Sequence, residues 1–147
     1  MASRFVSRVA LLVVWPAAVM VCVAWLGSVV VPEPSLPDPD YMWRPLGITD
    51  GAKVCLGLVA TAATVGACLL LRRWFNEGVL SRPWLAVFIA AGAIGAYGGI
   101  AYEVATAPVI GANIGGGMVV LFAGPFIVGT AIGTAVWVHG GRRTPPA

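Results

Sequence analysis

Four long stretches without a charged residue dominate this sequence. They cover residues 9–32, 54–71, 83–102 and 104–141. A helix needs about 20 mostly apolar residues to cross the hydrocarbon core of a bilayer, so each of the first three stretches fits one spanning helix. Because unpaired backbone groups are costly in hydrocarbon, each span is expected to be helical throughout.

The fourth stretch is too long for one spanning helix and short for two. Pro108 and the glycines of 111–117 interrupt its beginning. We therefore expect a loop or a re-entrant segment over 109–117, followed by a single helix. The predicted fold is an all-α integral membrane protein, a four-transmembrane-helix bundle that forms one membrane domain over 1–147. Its predicted spans are residues 9–31, 53–71, 84–103 and 116–138.

The composition agrees with a membrane protein. Apolar residues make up 59% of the chain, charged residues 10%, and the mean hydropathy is +0.91. Soluble domains carry about 25% charged residues. The 10% of this chain is too little polar surface to cover a soluble particle. A soluble globular protein, a disordered chain and a disulfide-stapled secreted module are therefore excluded. The chain has a net charge of +3, but its basic residues are not clustered on one face of a soluble domain. A nucleic-acid partner is therefore not predicted.

The basic residues predict the orientation. Four spans place both termini and the 72–83 loop on one side of the membrane. Of the nine basic residues, all except Arg44 and Lys53 fall on that side. The positive-inside rule makes it cytoplasmic, with N-in and C-in topology. Arginine in excess of lysine, with abundant Ala, Gly and Val, is typical of a high-GC genome, so we expect a bacterial cell (plasma) membrane.

The connecting segments differ in character. The outer loop, 32–52, is rich in proline, which favours an extended chain, and its apolar centre at 41–43 is expected on the membrane surface or the helix ends. The inner connection, 72–83, is short, so the second and third spans are expected to be antiparallel neighbours. The tail, 139–147, is expected to be disordered.

Three spans carry small residues at four-residue spacing. The pairs are Gly95 with Gly99 and Gly92 with Ala96 in the third span, Gly129 with Gly133 in the fourth, and Ala62 with Gly66 and Ala63 with Ala67 in the second. Small residues at this spacing let helix backbones approach closely. Such faces serve either packing within the chain or an interface with a membrane-protein partner or a second copy.

Catalytic and metal-binding patterns are missing from the sequence. The three cysteines form no CxxC pair, and His139 is the single histidine. The glycines of 115–117 have neither the strand nor the lysine of a phosphate-binding loop. We therefore predict that the chain is not an enzyme and takes no cofactor and no metal.

One group of polar residues is a candidate site at the outer mouth. Glu103 ends the third span beside Tyr102, and Tyr97 and Asn113 are expected nearby. Acids within spans are costly and often functional. The alternative is a structural pair between Glu103 and a basic residue of the outer side, Lys53 or Arg44.

Two functions remain open from the sequence. The first is a non-catalytic accessory or structural subunit that assembles through its Gly/Ala-lined helix faces. The second is a small oligomeric transporter or channel that uses Glu103, Tyr102 and Asn113. Either requires the lipid bilayer as surroundings.

Overall fold

The computed structural model of the chain describes residues 2–30, 42–44, 46–107 and 112–140. These residues form four helices and no strand: α1 (Ala2–Val30), α2 (Asp50–Asn76), α3 (Arg82–Thr106) and α4 (Ala112–Gly140). Each helix contains an apolar segment long enough to cross a membrane. The prediction of four membrane-length helices is confirmed.

The second helix extends past its apolar stretch at both ends. Thr49 caps it, since its hydroxyl accepts a hydrogen bond from the amide of Ala52 at 3.3 Å. Its other end continues through two arginines to Asn76, because long charged side chains are compatible with helix. Gly78 then turns the chain with a φ of 68°, a left-handed conformation that favours glycine.

The fourth helix begins earlier than predicted. A loop or re-entrant segment was expected over 109–117, but α4 starts at Ala112, so Gly115–Gly117 are helical; residues 108–111 lie outside the described residues. Glycine disfavours helix by about 1 kcal/mol relative to alanine. Two of these glycines lie at close contacts, Gly115 against Val104 and Gly116 against Met42, where a larger side chain would collide.

The order of the helices in space differs from their order in the chain. α1 packs against both α2 and α3, and α3 packs against α4. α2 and α3 make few contacts, and in the described part of the chain α4 touches neither α1 nor α2. The helices therefore lie in the order α2, α1, α3, α4. The prediction that the second and third spans are close neighbours is wrong, because α1 lies between them.

Contacts between the helices give their directions. Trp25 lies over Gly57 and Cys22 meets Thr61, so α1 and α2 are antiparallel. Pro16 and Met20 of α1 face Gly95 and Gly99 of α3 in the same sense, so α1 and α3 are parallel.

The most buried region lies where α1, α2 and α3 converge near the 77–81 turn. Phe88 is fully buried, and Leu80 of the turn is 2% exposed. The amide of Leu80 donates to the carbonyl of Trp74 at 2.9 Å, which holds the turn against α2. The buried cluster consists of Trp15, Val19, Ala67, Leu71, Leu80 and Phe88.

At the opposite end, part of the 32–52 segment packs on the helix ends. The amide of Trp43 donates to the carbonyl of Ala105 at 3.0 Å, and Met42 lies against Gly116. This agrees with the expected packing of the 41–43 segment on helix ends. Residues 31–41 and 45, and 141–147 of the predicted tail, lie outside the described residues.

Candidate functional site

The glycines of α3 form the surface on which α1 packs. A Cβ atom on Gly99 would lie 2.6 Å from the carbonyl oxygen of Met20, and one on Gly95 would lie 2.9 Å from the Cα of Pro16. Both distances are too short for a carbon atom, so the two backbones touch because neither residue has a side chain. All three predicted glycines of this face are buried. The α1–α3 contact is thus a small-residue interface within the chain.

Trp15 joins this interface through a hydrogen bond. Its indole nitrogen donates to the main-chain carbonyl of Phe88 at 2.8 Å, and the group is buried. The ring lies over Gly92, where a Cβ would come within 2.7 Å of the indole nitrogen. The missing side chain of Gly92 therefore lets the indole reach the backbone of α3.

The second predicted glycine pair has a different environment. A Cβ on Gly129 or Gly133 would meet nothing within 4 Å among the described residues. α4 faces α3 instead through Val119 and Phe126, which both contact Tyr97. Gly129 and Gly133 are exposed on the surface of the single chain.

Of the two tyrosines of the candidate polar site, Tyr97 connects α3 to α4 through its side chain. The hydroxyl of Tyr97 donates to the carbonyl of Val119 in α4, and its ring stacks on Phe126 with 4.7 Å between the ring centres. The carbonyl of Tyr102 accepts a hydrogen bond from the hydroxyl of Thr106 at 2.8 Å.

Glu103 faces α1, away from Tyr97. It is half-buried, and its side chain lies on Gly27, where a Cβ would come within 2.9 Å of the Glu103 Cγ. Lys53, one of its predicted partners, lies 3.5 Å from Asp50 in its own helix. Asn113 is in the first turn of α4, and its side chain lies outside the described residues. The structure therefore does not gather Tyr97 and Glu103 into one site.

The sequence analysis missed the contact between α1 and α2. Gly57 lies directly beneath the ring of Trp25, where any side chain would overlap the indole. Thr61 donates its hydroxyl proton to the carbonyl of Gly57 at 2.8 Å. Its oxygen is then left to accept from the thiol of Cys22 at 3.3 Å. Glycine and threonine four residues apart were the signal available in the sequence, since threonine also counts as a small interface residue.

The remaining chemistry of the described residues is sparse. All three cysteines are free, and Cys55 and Cys68 are exposed. No group of three or more His, Cys, Asp or Glu side chains that could hold a metal ion occurs in the part of the chain that the structure describes.

Comparison with known proteins gives no relative for this chain. No family model matches it, and no match is found among the curated proteins or the solved structures.

Proposed function

We propose that this protein is a non-catalytic accessory or structural subunit of a complex in the bacterial cell membrane, with both termini cytoplasmic. The single observation that carries the proposal is the contrast between its two glycine motifs. The motif of α3 is occupied by α1, whereas Gly129 and Gly133 of α4 meet no neighbour within the described chain. A second small-residue face is therefore left for a helix from outside the chain.

The position of α4 supports this proposal. Of the other helices only α3 contacts α4, and Gly116 is the one buried residue among the described positions of its membrane-length segment. An outermost helix with one neighbour offers most of its circumference to a partner. Tyr97, one of the polar residues that favoured transport, has a structural contact, since its hydroxyl donates to the α4 backbone. The distribution of basic residues supports the proposed orientation.

The test combines particle composition with two matched substitutions. The protein is extracted from its own membrane in mild detergent, and the mass and subunits of the native particle are determined. Gly129→Leu should release the partner, whereas Gly117→Leu should not, although both glycines are in α4 and face open space. Both variants should fold, because a Cβ atom at either position has no neighbour within 4 Å among the described residues. A particle of one unaccompanied chain, unchanged by Gly129→Leu, contradicts the proposal.

A small oligomeric transporter or channel is the second candidate, and Glu103 is the observation that favours it. The carboxyl group is half-buried against α1 in a helix of membrane length. Glu103→Gln should abolish ion flux in liposomes if the acid carries the ion. Unchanged assembly together with an absence of flux in the wild type favours the accessory function.

A further inference from the structure

We propose that the groove between α2 and α3 binds an anionic phospholipid, with one acyl chain in the groove and the phosphate on Arg72. The proposal goes beyond the accessory function, and it takes from the proposed function only the cytoplasmic position of this end of α2. It rests on the shape of the groove and on the position of one charge.

The groove exists because α1 separates the two helices. Trp15 of α1 forms its floor, and its volume is about 300 Å³. This volume has room for roughly ten groups the size of a water molecule, which suits a length of hydrocarbon chain. The other lining residues are Cys68, Leu71, Arg72, Phe75, Leu85, Phe88 and Ile89.

Arg72 is the single charged residue of this lining. It is exposed, and it forms no ion pair with any residue that the structure describes. Its neighbour Arg73 does form an ion pair, since the Arg73 Nε lies 2.7 Å from the carboxylate of Glu77. A guanidinium without a carboxylate therefore stands at the edge of an apolar groove.

A second hollow adjoins the first at Arg72. It is lined by polar and charged side chains besides Leu69, namely Arg72, Arg73, Asn76 and Glu77. All five of these residues belong to α2 or its C-cap, so the hollow lies beside the groove around α2, with Arg72 on the boundary between the two. A phosphate bound to Arg72 therefore has polar side chains on one side and the apolar groove on the other.

Charge favours an anionic over a zwitterionic lipid. Three arginines lie near this end of α2 and α3, namely Arg72, Arg73 and Arg82. The segment that connects the two helices contains one acid, Glu77. Arginine presents a planar fork that binds phosphate with two hydrogen bonds. Basic pockets between membrane helices on the cytoplasmic side are known to bind anionic headgroups. A choline headgroup carries its own cation and would compete poorly here.

The experiment measures lipid adducts on the full chain by native mass spectrometry. Delipidated protein in detergent is titrated with dioleoylphosphatidylglycerol and, separately, with dioleoylphosphatidylcholine. We expect phosphatidylglycerol to bind at concentrations where phosphatidylcholine does not. Arg72→Gln should weaken that binding by about tenfold, as the loss of a charge-assisted contact requires. Lys53→Gln removes the same charge from the other end of α2 and should leave binding unchanged.

A second pair of variants tests the groove without changing charge. Ile89→Trp fills it, whereas Ile100→Trp adds the same ring about three turns away on the same face of α3. Ile89 is 59% exposed and Ile100 is 53% exposed, so both variants are expected to fold. Ile89→Trp alone should reduce the adducts.

Four results overturn the proposal. Equal binding of both lipids removes the preference for the anion. Equal losses in Arg72→Gln and Lys53→Gln reduce the effect to general attraction. Unchanged adducts in Ile89→Trp, or a second protein chain displaced by that variant, show that no acyl chain occupies the groove. This experiment is independent of Gly129, so its failure leaves the proposed function standing.

Discussion

Adjacent glycines of α3 offer a stringent test of the α1–α3 interface. Gly98 and Gly99 take the same substitution, Gly→Ala, but face different surroundings. A Cβ on Gly99 would lie 2.6 Å from the main-chain oxygen of Met20, whereas one on Gly98 would lie 3.4 Å from the Met20 Sδ. The first neighbour is rigid backbone, and the second is a flexible side chain.

The expected magnitude follows from the separation that Gly99→Ala imposes. Restoring an ordinary contact of 3.4 Å requires α1 and α3 to move apart by about 0.8 Å at this point. If the helices move as rigid bodies, the Trp15–Phe88 hydrogen bond lengthens from 2.8 Å to about 3.6 Å and is lost. Overpacking costs about 1–3 kcal/mol and the hydrogen bond contributes about 1 kcal/mol, against a gain of up to about 1 kcal/mol in helix propensity. We expect Gly99→Ala to lower the free energy of unfolding by about 2 kcal/mol.

The assay is reversible unfolding in mixed micelles, followed by far-ultraviolet circular dichroism. Gly98→Ala is the control and should be neutral or slightly stabilising, because it gains helix propensity without a backbone collision. Equal stabilities of the two variants, or a more stable Gly99→Ala, would refute the close backbone contact on which the reasoning depends.

Three further predictions concern the other contacts of α1. Trp15→Phe should cost about 1 kcal/mol of unfolding free energy because it removes the indole hydrogen bond, and the same unfolding assay measures the loss. Gly57→Ala should destabilise by about 1–3 kcal/mol because its methyl group collides with an indole, whereas Gly66→Ala, which faces open space, should not; a stable Gly57→Ala would contradict the contact. A double-mutant cycle of Cys22→Ala and Thr61→Val should give a coupling of about 0.6 kcal/mol, and additive effects would show that the thiol and hydroxyl do not interact.

The charge-free stretches were sufficient to predict the number of helices and their approximate positions. Their ends were less predictable, since Arg72 and Arg73 end an apolar run without ending a helix. The prediction of a helix interruption at 109–117 was also based on local residue types. Gly115 and Gly116 contact other parts of the chain, so tertiary packing offsets their low helix propensity.

The neighbours of each helix were harder to predict. A short turn brings the ends of α2 and α3 together, but it does not require that they pack along their length. The backbone of α1 reaches the glycines of α3 more closely than a helix with larger facing residues would allow. Sequence spacing alone does not show which helix takes such a face.

The geometry of a helix explains why the predicted polar site is not one cluster. Tyr97 and Glu103 are six residues apart, which places them about 120° apart around a helix. They therefore face different neighbours, α4 and α1. Their similar predicted depth in the membrane favoured a single site, whereas their angular positions around α3 argue against it.

The central place of α1 has a consequence for biogenesis. The residues joined by the Trp15–Phe88 bond are 73 positions apart, so α1 enters the membrane long before its main partner is synthesised. The antiparallel pair of α1 and α2 is able to form first, with Pro16 and Met20 still facing lipid. α3 then packs on this surface of α1, and α4 is added last beside α3. A nascent chain arrested after α2 therefore exposes the α1 surface that α3 normally covers. We expect such a chain to be recognised by membrane chaperones and quality-control proteases.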